Sequence, residues 1–143
     1  MTDIRTVGVV GADRQGLSGL EYALEADLAG QPGWVLAERD TGGDEIGIGA
    51  RESVPAVAGS DVRLTIDRYV QRVAERELAA AVETSRARGG TVVVLDPRTG
   101  AVLALAAEPA LRYDDPDLFE ASRLPLYRIP AASDVYEPGS VFK

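Results

Sequence analysis

The segment Ser140-Val141-Phe142-Lys143 combines residue types and a spacing that can support covalent chemistry. Residues three apart on a helix are neighbours, with about 5–6 Å between their Cβ atoms, so the Lys143 amine would lie near the Ser140 hydroxyl. A serine is a weak nucleophile until a base accepts its proton. A lysine can be that base when burial or nearby positive charge lowers its pKa. The spacing therefore predicts a nucleophile at Ser140 and a general base at Lys143.

The two residues before Ser140 favour the start of a helix at this point. Pro138 sets a φ angle suited to a first helical turn, and Gly139 leaves room beside the serine. Ser140 would then lie at a helix N-terminus, where free backbone N–H groups stabilise developing negative charge. Ser-x-x-Lys alone is short and occurs in many unrelated proteins. Whether it is catalytic here therefore has to be judged from the rest of the chain.

Composition excludes several other kinds of site. The 143 residues include no histidine and no cysteine, so histidine triads, thiolate catalysis and Cys/His zinc sites are excluded. The net charge of −8 argues against nucleic acid as a partner, because phosphate binding needs lysine and arginine patches. With no signal peptide and no apolar run of about 18 residues, a soluble chain is expected.

Short β-type and helical patterns alternate in the first half of the chain, where Ser18 and Glu21 fit a helix capping box. Four elements are predicted from periodicity and turn residues: a strand over 6–11, a helix over 19–28, a hairpin of strands 33–40 and 45–50, and a half-buried strand over 61–66.

The second half begins with a stronger helical signal. Asp67 is a suitable N-cap for a helix over 68–88, which Gly89 and Gly90 would end. A hairpin of strands 91–96 and 101–106 should follow, with the first strand buried on both faces. Residues 108–143 contain many prolines and acidic residues, so we expect them to pack poorly. The fold class is therefore α+β, with one unit over 4–66 and a second over 67–106.

Several stretches resemble one protein family, the class B penicillin-binding proteins. Residues 136–143 resemble the active-site serine motif of these enzymes. Residues 16–21, with the sequence GLSGLE, resemble a segment of their pedestal, or dimerisation, domain. Residues 55–71 are similar to the passage from the pedestal into the transpeptidase domain, and residues 93–109 to the first hairpin of that domain. The similarities follow one another in the order that the family has.

The resemblance implies a partial pedestal domain over 1–66 and the N-terminal part of a transpeptidase domain over 67–143, truncated at the serine motif. It gives Ser140 the role of acyl-enzyme nucleophile and Lys143 that of general base. The intact family protein cross-links peptidoglycan: its serine attacks a D-Ala-D-Ala stem peptide, and β-lactams trap the acyl-enzyme. The resemblance implies no metal and no organic cofactor, and a site on the extracytoplasmic face of the bacterial cytoplasmic membrane.

Other interpretations remain open for the chain by itself. The family's Ser-x-Asn and Lys-Thr-Gly motifs are missing from this sequence, so we expect the isolated chain to be inactive. Its alternative role is a non-catalytic module that binds cell-wall synthesis proteins or associates with itself through residues 4–66. Serine β-lactamases and β-lactam sensors also have a Ser-x-x-Lys motif, but the pedestal-like residues 7–66 argue against both of these classes.

Overall fold

The computed structural model of the chain describes residues 4–39, 41–44, 46, 51–135, 137 and 139–141. It is an α+β structure, as predicted, and it divides into two compact units. The first joins Met1–Ala23 with Arg63–Lys143, and the second is Leu24–Val62. This grouping differs from the expected boundary between residues 66 and 67, because the first residues of the chain pack with its C-terminal part.

A long helix and a hairpin form one core of the first unit. Helix α4, Arg68–Ser85, begins where Asp67 Oδ1 accepts hydrogen bonds from the backbone N–H groups of Tyr69 at 2.8 Å and Val70 at 3.0 Å. Helix α4 ends three residues earlier than predicted, because Arg86 takes the left-handed conformation with φ 54°. Its N-cap is thus confirmed, and its predicted end at residue 88 is wrong.

Strands β3, Gly90–Leu95, and β4, Val102–Glu108, pair antiparallel beside this helix. The turn between them is the expected one: Gly100 has φ 74° and its N–H donates to the Asp96 carbonyl at 2.8 Å. The helix covers one face of the hairpin. The core there consists of Ala74, Leu78, Ala104 and Ala106, flanked by Val70, Val82, Val92 and Val94.

The other face of β3 is less covered than the sequence suggested. Val93 and Leu95 remain 45% and 53% exposed, so the prediction of burial on both faces is wrong. A continuous apolar run predicts a strand but does not show whether one face or both faces are covered by other elements. Only the tertiary structure shows which elements cover each face.

A second core joins the two ends of the first unit. Ile4 and Val9 are buried together with Leu111 and Leu118, and Leu126 and Tyr127 pack against them. Beside this cluster the buried Arg5 donates a hydrogen bond from Nη2 to the carbonyl of Pro109. Leu111 and Leu118 are therefore packed in a core, and the expectation of poor packing over 108–143 is wrong at this cluster.

The N-terminal elements also differ from their prediction. Residues Ile4–Val7 form a short helix, α1, where the β-branched pattern had predicted a strand over 6–11. A helical turn lets Ile4 enter the second core, so burial overrides β propensity here. The Ser18 hydroxyl accepts a hydrogen bond from the backbone N–H of Val9 at 3.2 Å, a long-range contact in place of the predicted capping box.

The GLSGLE segment makes a very close approach to the end of α1. A Cβ on Gly8, whose φ is +104°, would lie 1.9 Å from the carbonyl oxygen of Ser18. A Cβ on Gly19, whose φ is +60°, would lie 2.7 Å from the Gly8 Cα. Both positions therefore need glycine for conformation and for space, and together they let residues 8 and 19 touch through their backbones.

The predicted helix over 19–28 is two short helices, α2, Gly19–Ala23, and α3, Glu25–Leu28. Leu24 separates them with φ −114° and ψ 18°, which are not helical angles. The single-helix prediction is therefore wrong at Leu24, although Gly30, with φ +65°, lies where the stop was expected.

The second unit contains a hairpin whose described return strand lies just after the range predicted for it. Strand β1, Trp34–Ala37, pairs antiparallel with β2, Arg51–Val54. The return strand had been predicted over 45–50, where residues 45 and 47–50 lie outside the described part. Ile46 donates its backbone N–H to the Glu38 carbonyl at 2.9 Å. The hairpin exists, and the residues that pair with β1 are 51–54, directly after the predicted return strand of 45–50.

Residues 61–66 form no strand in the structure, contrary to the prediction. Val62 and Leu64 are 42% and 39% exposed, so their alternation with polar residues does not correspond to burial of one face. The end of this segment instead runs along β4: the Thr65 hydroxyl donates to the Val102 carbonyl at 2.6 Å, and the Asp67 N–H to the Leu103 carbonyl at 2.9 Å.

Candidate active site

The predicted nucleophile, Ser140, lies in a 3-10 helix of one turn, Gly139–Val141. Gly139 begins the turn with φ +57°, and Ser140 is exposed. The helix start predicted from Pro138 and Gly139 therefore corresponds to a short turn at this position. Lys143, the predicted base, lies outside the described residues, and the pairing of Ser140 with Lys143 stays a prediction.

The segment that leads to Ser140 is anchored on the hairpin of the first unit. After the 3-10 helix Ala121–Tyr127, helix α5, Pro130–Ser133, packs against β3. The Ser133 hydroxyl donates to the Ile129 carbonyl at 2.9 Å, and Arg128 Nη2 lies 2.6 Å from Asp134 Oδ1 in an exposed ion pair. These contacts place the start of the serine segment next to the sheet.

Two tyrosine hydroxyls hold the irregular chain between β4 and this helix. Tyr113 donates to the Gly8 carbonyl at 2.6 Å, and burial, followed by the negative charge of Glu21, raises its pKa above the ordinary 10.0. Tyr127 donates to the Leu118 carbonyl at 2.7 Å, and burial raises its pKa as well. Both phenols are therefore neutral hydrogen-bond donors at neutral pH.

These anchors lie in a stretch whose prolines and acidic residues predict a poorly packed loop. The available signal was the isolated large side chains among them: Leu111, Leu118 and the two tyrosines. Such residues bury apolar area wherever a distant segment offers a surface, even without helical or strand periodicity.

Within the described residues there is no group of three or more side chains of the histidine, cysteine, aspartate or glutamate type that could hold a metal ion. In the same part of the chain, no helix has the length and apolar character needed to cross a lipid bilayer.

Comparison with known proteins identifies the family. Residues 90–143 match the penicillin-binding protein transpeptidase domain. Over 138 residues the chain is 37% identical to the probable peptidoglycan D,D-transpeptidase PenA of Neisseria gonorrhoeae, which covers 96% of this chain and 23% of that protein. It is 33% identical over 137 residues to the peptidoglycan D,D-transpeptidase FtsI of Escherichia coli, covering 96% of this chain and 22% of that protein.

Solved structures agree with this assignment. A crystal structure of a peptidoglycan synthetase from Bifidobacterium adolescentis aligns with a TM-score of 0.64 at 35% identity, over 76% of this chain and 20% of that one. The structure of penicillin-binding protein 3 from Mycobacterium aligns with a TM-score of 0.55 at 35% identity, over 72% of this chain and 19% of that one. The chain belongs to the class B penicillin-binding proteins, and it spans less than a quarter of the length of the curated relatives it matches.

Proposed function

We propose that this chain supplies the nucleophilic serine of a peptidoglycan D,D-transpeptidase, with Ser140 as nucleophile and Lys143 as general base. The observation that carries the proposal is the Ser-x-x-Lys motif at 140–143, which lies inside the stretch that matches the transpeptidase domain. The names of the relatives, PenA and FtsI, supply the reaction class.

In the proposed reaction, Lys143 accepts the Ser140 proton while the serine oxygen attacks the penultimate D-alanine carbonyl of a stem peptide. The tetrahedral intermediate collapses: the C–N bond to the terminal D-alanine breaks, that amine takes the proton held by Lys143, and an acyl-enzyme ester remains. The amine of a neighbouring stem peptide then attacks the ester, forms the cross-link and returns the serine. A β-lactam reacts at the first step, because its strained amide is opened by the same attack, and the ester persists.

For the domains we propose that residues 1–66 contribute part of a pedestal and that 67–143 are the N-terminal part of the transpeptidase domain. The compact units do not follow this division, because Met1–Ala23 groups with Arg63–Lys143. Ile4 and Val9 share a core with Leu111 and Leu118, so the first pedestal residues are packed together with residues of the catalytic domain. We propose that the intact protein works on the extracytoplasmic face of the cytoplasmic membrane.

By itself the chain should not be acylated. The turn that holds Ser140 has three residues, too few to nucleate a stable helix. The 143-residue sequence also lacks the family's Ser-x-Asn and Lys-Thr-Gly motifs, and removing groups that act as a unit lowers activity in a strongly non-additive way. The test compares the 143-residue chain with the full-length protein that contains it. Each is incubated with labelled penicillin and analysed by intact mass spectrometry.

We expect one penicilloyl adduct per full-length molecule, none on the 143-residue chain, and loss of the adduct in Ser140→Ala. Ser122→Ala is the matched control, because Ser122 is an exposed serine in the same C-terminal stretch. An adduct that survives Ser140→Ala would refute the proposed nucleophile. An adduct on the short chain would refute only its expected inactivity.

A second function, association through residues 4–66, is favoured by the second compact unit. No hydrophobic residue described within 24–62 belongs to the buried cores. Trp34, Val35 and Leu36 on β1 are instead 51%, 58% and 64% exposed. Trp34 and Leu36 lie on the same face of this strand, and exposed apolar side chains grouped in this way are typical of protein interaction surfaces.

Sedimentation velocity over a range of concentrations tests this association. Trp34 is the single tryptophan of the chain, so burial of the surface should also shift its fluorescence to shorter wavelength as concentration rises. Trp34→Ser should weaken association, whereas Leu95→Ser, a change at an exposed apolar residue of the other unit, should not. A monomer at all concentrations, with constant fluorescence, would contradict self-association.

A further inference from the structure

A groove with three arginines lies between helix α4 and the end of strand β4, on the first unit. Its volume is about 320 Å³. Arg72 and Arg76 line it from the helix and Arg112 from the segment after β4. The rest of the lining consists of three small apolar side chains, Ala79, Ala107 and Ala110, and two glutamates. Arginine side chains therefore line the groove on both sides, from α4 and from the segment after β4.

The three arginines are open to an external partner. Arg76 bonds Glu77 through Nε at 2.9 Å and Nη2 at 2.6 Å, but the two side chains are 70% and 64% exposed. Such a surface pair contributes about 0–1 kcal/mol, so a competing carboxylate can displace it. For Arg72 and Arg112, the described residues show no ion pair.

Two glutamates also line the groove, and they do not cancel its charge. Glu75 accepts a hydrogen bond from the amide of Gln71 at 2.8 Å, which directs one of its oxygens towards the base of α4. Glu108 is the last residue of β4. Three arginines against two glutamates leave a positive excess, in a chain that has 15 basic and 23 acidic residues overall. The sign of the charge in the groove is therefore opposite to the net charge of the whole chain.

A neighbouring depression extends this surface along α4. It shares Arg72 and Arg76 and adds Tyr69 and Val73, and the Tyr69 side chain is 78% exposed. These residues follow the spacing i, i+3, i+4 and i+7, so they form one stripe on the helix. Tyrosine and arginine are the residue types that carry most of the binding energy in protein interfaces.

We propose that this groove and stripe bind an acidic peptide segment of another protein, with its carboxylates on Arg72, Arg76 and Arg112. Guanidinium groups match carboxylates in paired hydrogen bonds, and the tyrosine ring supplies an apolar contact. Long polyanions fit less well, since a net charge of −8 repels an extended nucleic acid or an anionic membrane while three arginines can neutralise a short segment. The inference is independent of the proposed acyl-transfer chemistry.

Fluorescence anisotropy with defined peptides tests the proposal on the 143-residue chain. The probe is a fluorescein-labelled octapeptide of alternating glutamate and alanine, and its control has glutamine at every glutamate position. We expect the glutamate peptide to bind and the glutamine peptide not to bind. Raising the salt concentration should weaken binding, because exposed charges are screened.

Charge-removing variants locate the site. Arg72→Gln, Arg76→Gln and Arg112→Gln should each weaken binding by about threefold to fivefold, the effect of losing an exposed ion pair. The matched control is Arg98→Gln, in the exposed turn between β3 and β4 and outside the groove. In two-dimensional NMR spectra, the peptide should shift the amide signals of Ala79 and Ala107.

Three results would overturn the proposal: no binding of the glutamate peptide, an equal loss of binding in Arg98→Gln and the groove variants, or tighter binding of a short DNA duplex than of the peptide. Circular dichroism on every variant confirms that the helix is intact, which is expected because all four arginines are exposed.

Discussion

Gln71 is a polar residue placed inside the apolar stripe of α4, and its replacement should weaken the first unit strongly. The side chain is 2% exposed. Its Nε2 donates to the Leu105 carbonyl at 2.9 Å, and its Oε1 accepts from the Leu105 N–H at 2.8 Å. The amide thus acts as a neighbouring strand would, and satisfies both backbone groups of Leu105 on the outer edge of β4. We therefore choose Gln71→Met, which keeps the length of the side chain and removes its hydrogen bonds.

The expected loss follows from the two groups that are left without partners. An unsatisfied buried donor or acceptor costs about 1–3 kcal/mol. Leu105 is half-buried, so water can reach part of its backbone, and the lower half of that range applies to each group. For the N–H and the carbonyl together we expect a loss of roughly 2–4 kcal/mol in the free energy of unfolding. This is a large fraction of the 5–15 kcal/mol that is typical for a domain of this kind.

Urea unfolding followed by circular dichroism measures the change, and hydrogen exchange localises it to the Leu105 amide. Glu83→Ala is the matched control, an exposed substitution on the same helix that should stay within about 0.5 kcal/mol. A loss below 0.5 kcal/mol in Gln71→Met, or a Leu105 amide that exchanges as slowly as before, would refute the reasoning.

Three further substitutions probe the remaining contacts. Asp67→Ala removes the N-cap of α4 and should lower the free energy of unfolding by about 1 kcal/mol in urea titrations. Leu111→Ala opens a cavity at a residue that is 0% exposed and should cost about 2–5 kcal/mol, whereas Leu124→Ala, at an exposed leucine, should cost far less. Tyr113 has its pKa raised above 10.0 in the folded chain, so the stability linked to its neutral form is fully present below pH 10.0 and is lost as pH rises through the folded pKa. Tyr113→Phe should flatten this alkaline loss in unfolding curves recorded between neutral pH and pH 11.

Each of these has a contradicting outcome. Equal urea unfolding curves for Asp67→Ala and the unmodified chain would show that the N-cap does not contribute to the stability of the helix. Equal losses for Leu111→Ala and Leu124→Ala would mean that the second core does not form in solution. An unchanged alkaline slope in Tyr113→Phe would assign the pH dependence to another group.

Local chemistry in the sequence was sufficient for the parts of the fold whose signals lie close together along the chain. Asp67 determines where α4 starts because its carboxylate reaches N–H groups two and three residues ahead. Gly100 determines the hairpin turn through a positive φ that other residues rarely adopt. The Ser140 motif and the GLSGLE segment indicated the family because residue identity and order are sequence properties.

Only the tertiary structure decided the features that join distant residues. Ile4 and Leu111 are far apart in sequence, and their shared burial makes a helix of a segment with β-type composition. Gln71 interrupts the apolar stripe of α4 because its hydrogen-bond partner, the Leu105 backbone, lies on strand β4. The groove of Arg72, Arg76 and Arg112 exists only once β4 lies beside α4. In each case the deciding free energy comes from a contact between segments, and no periodicity within either segment records it.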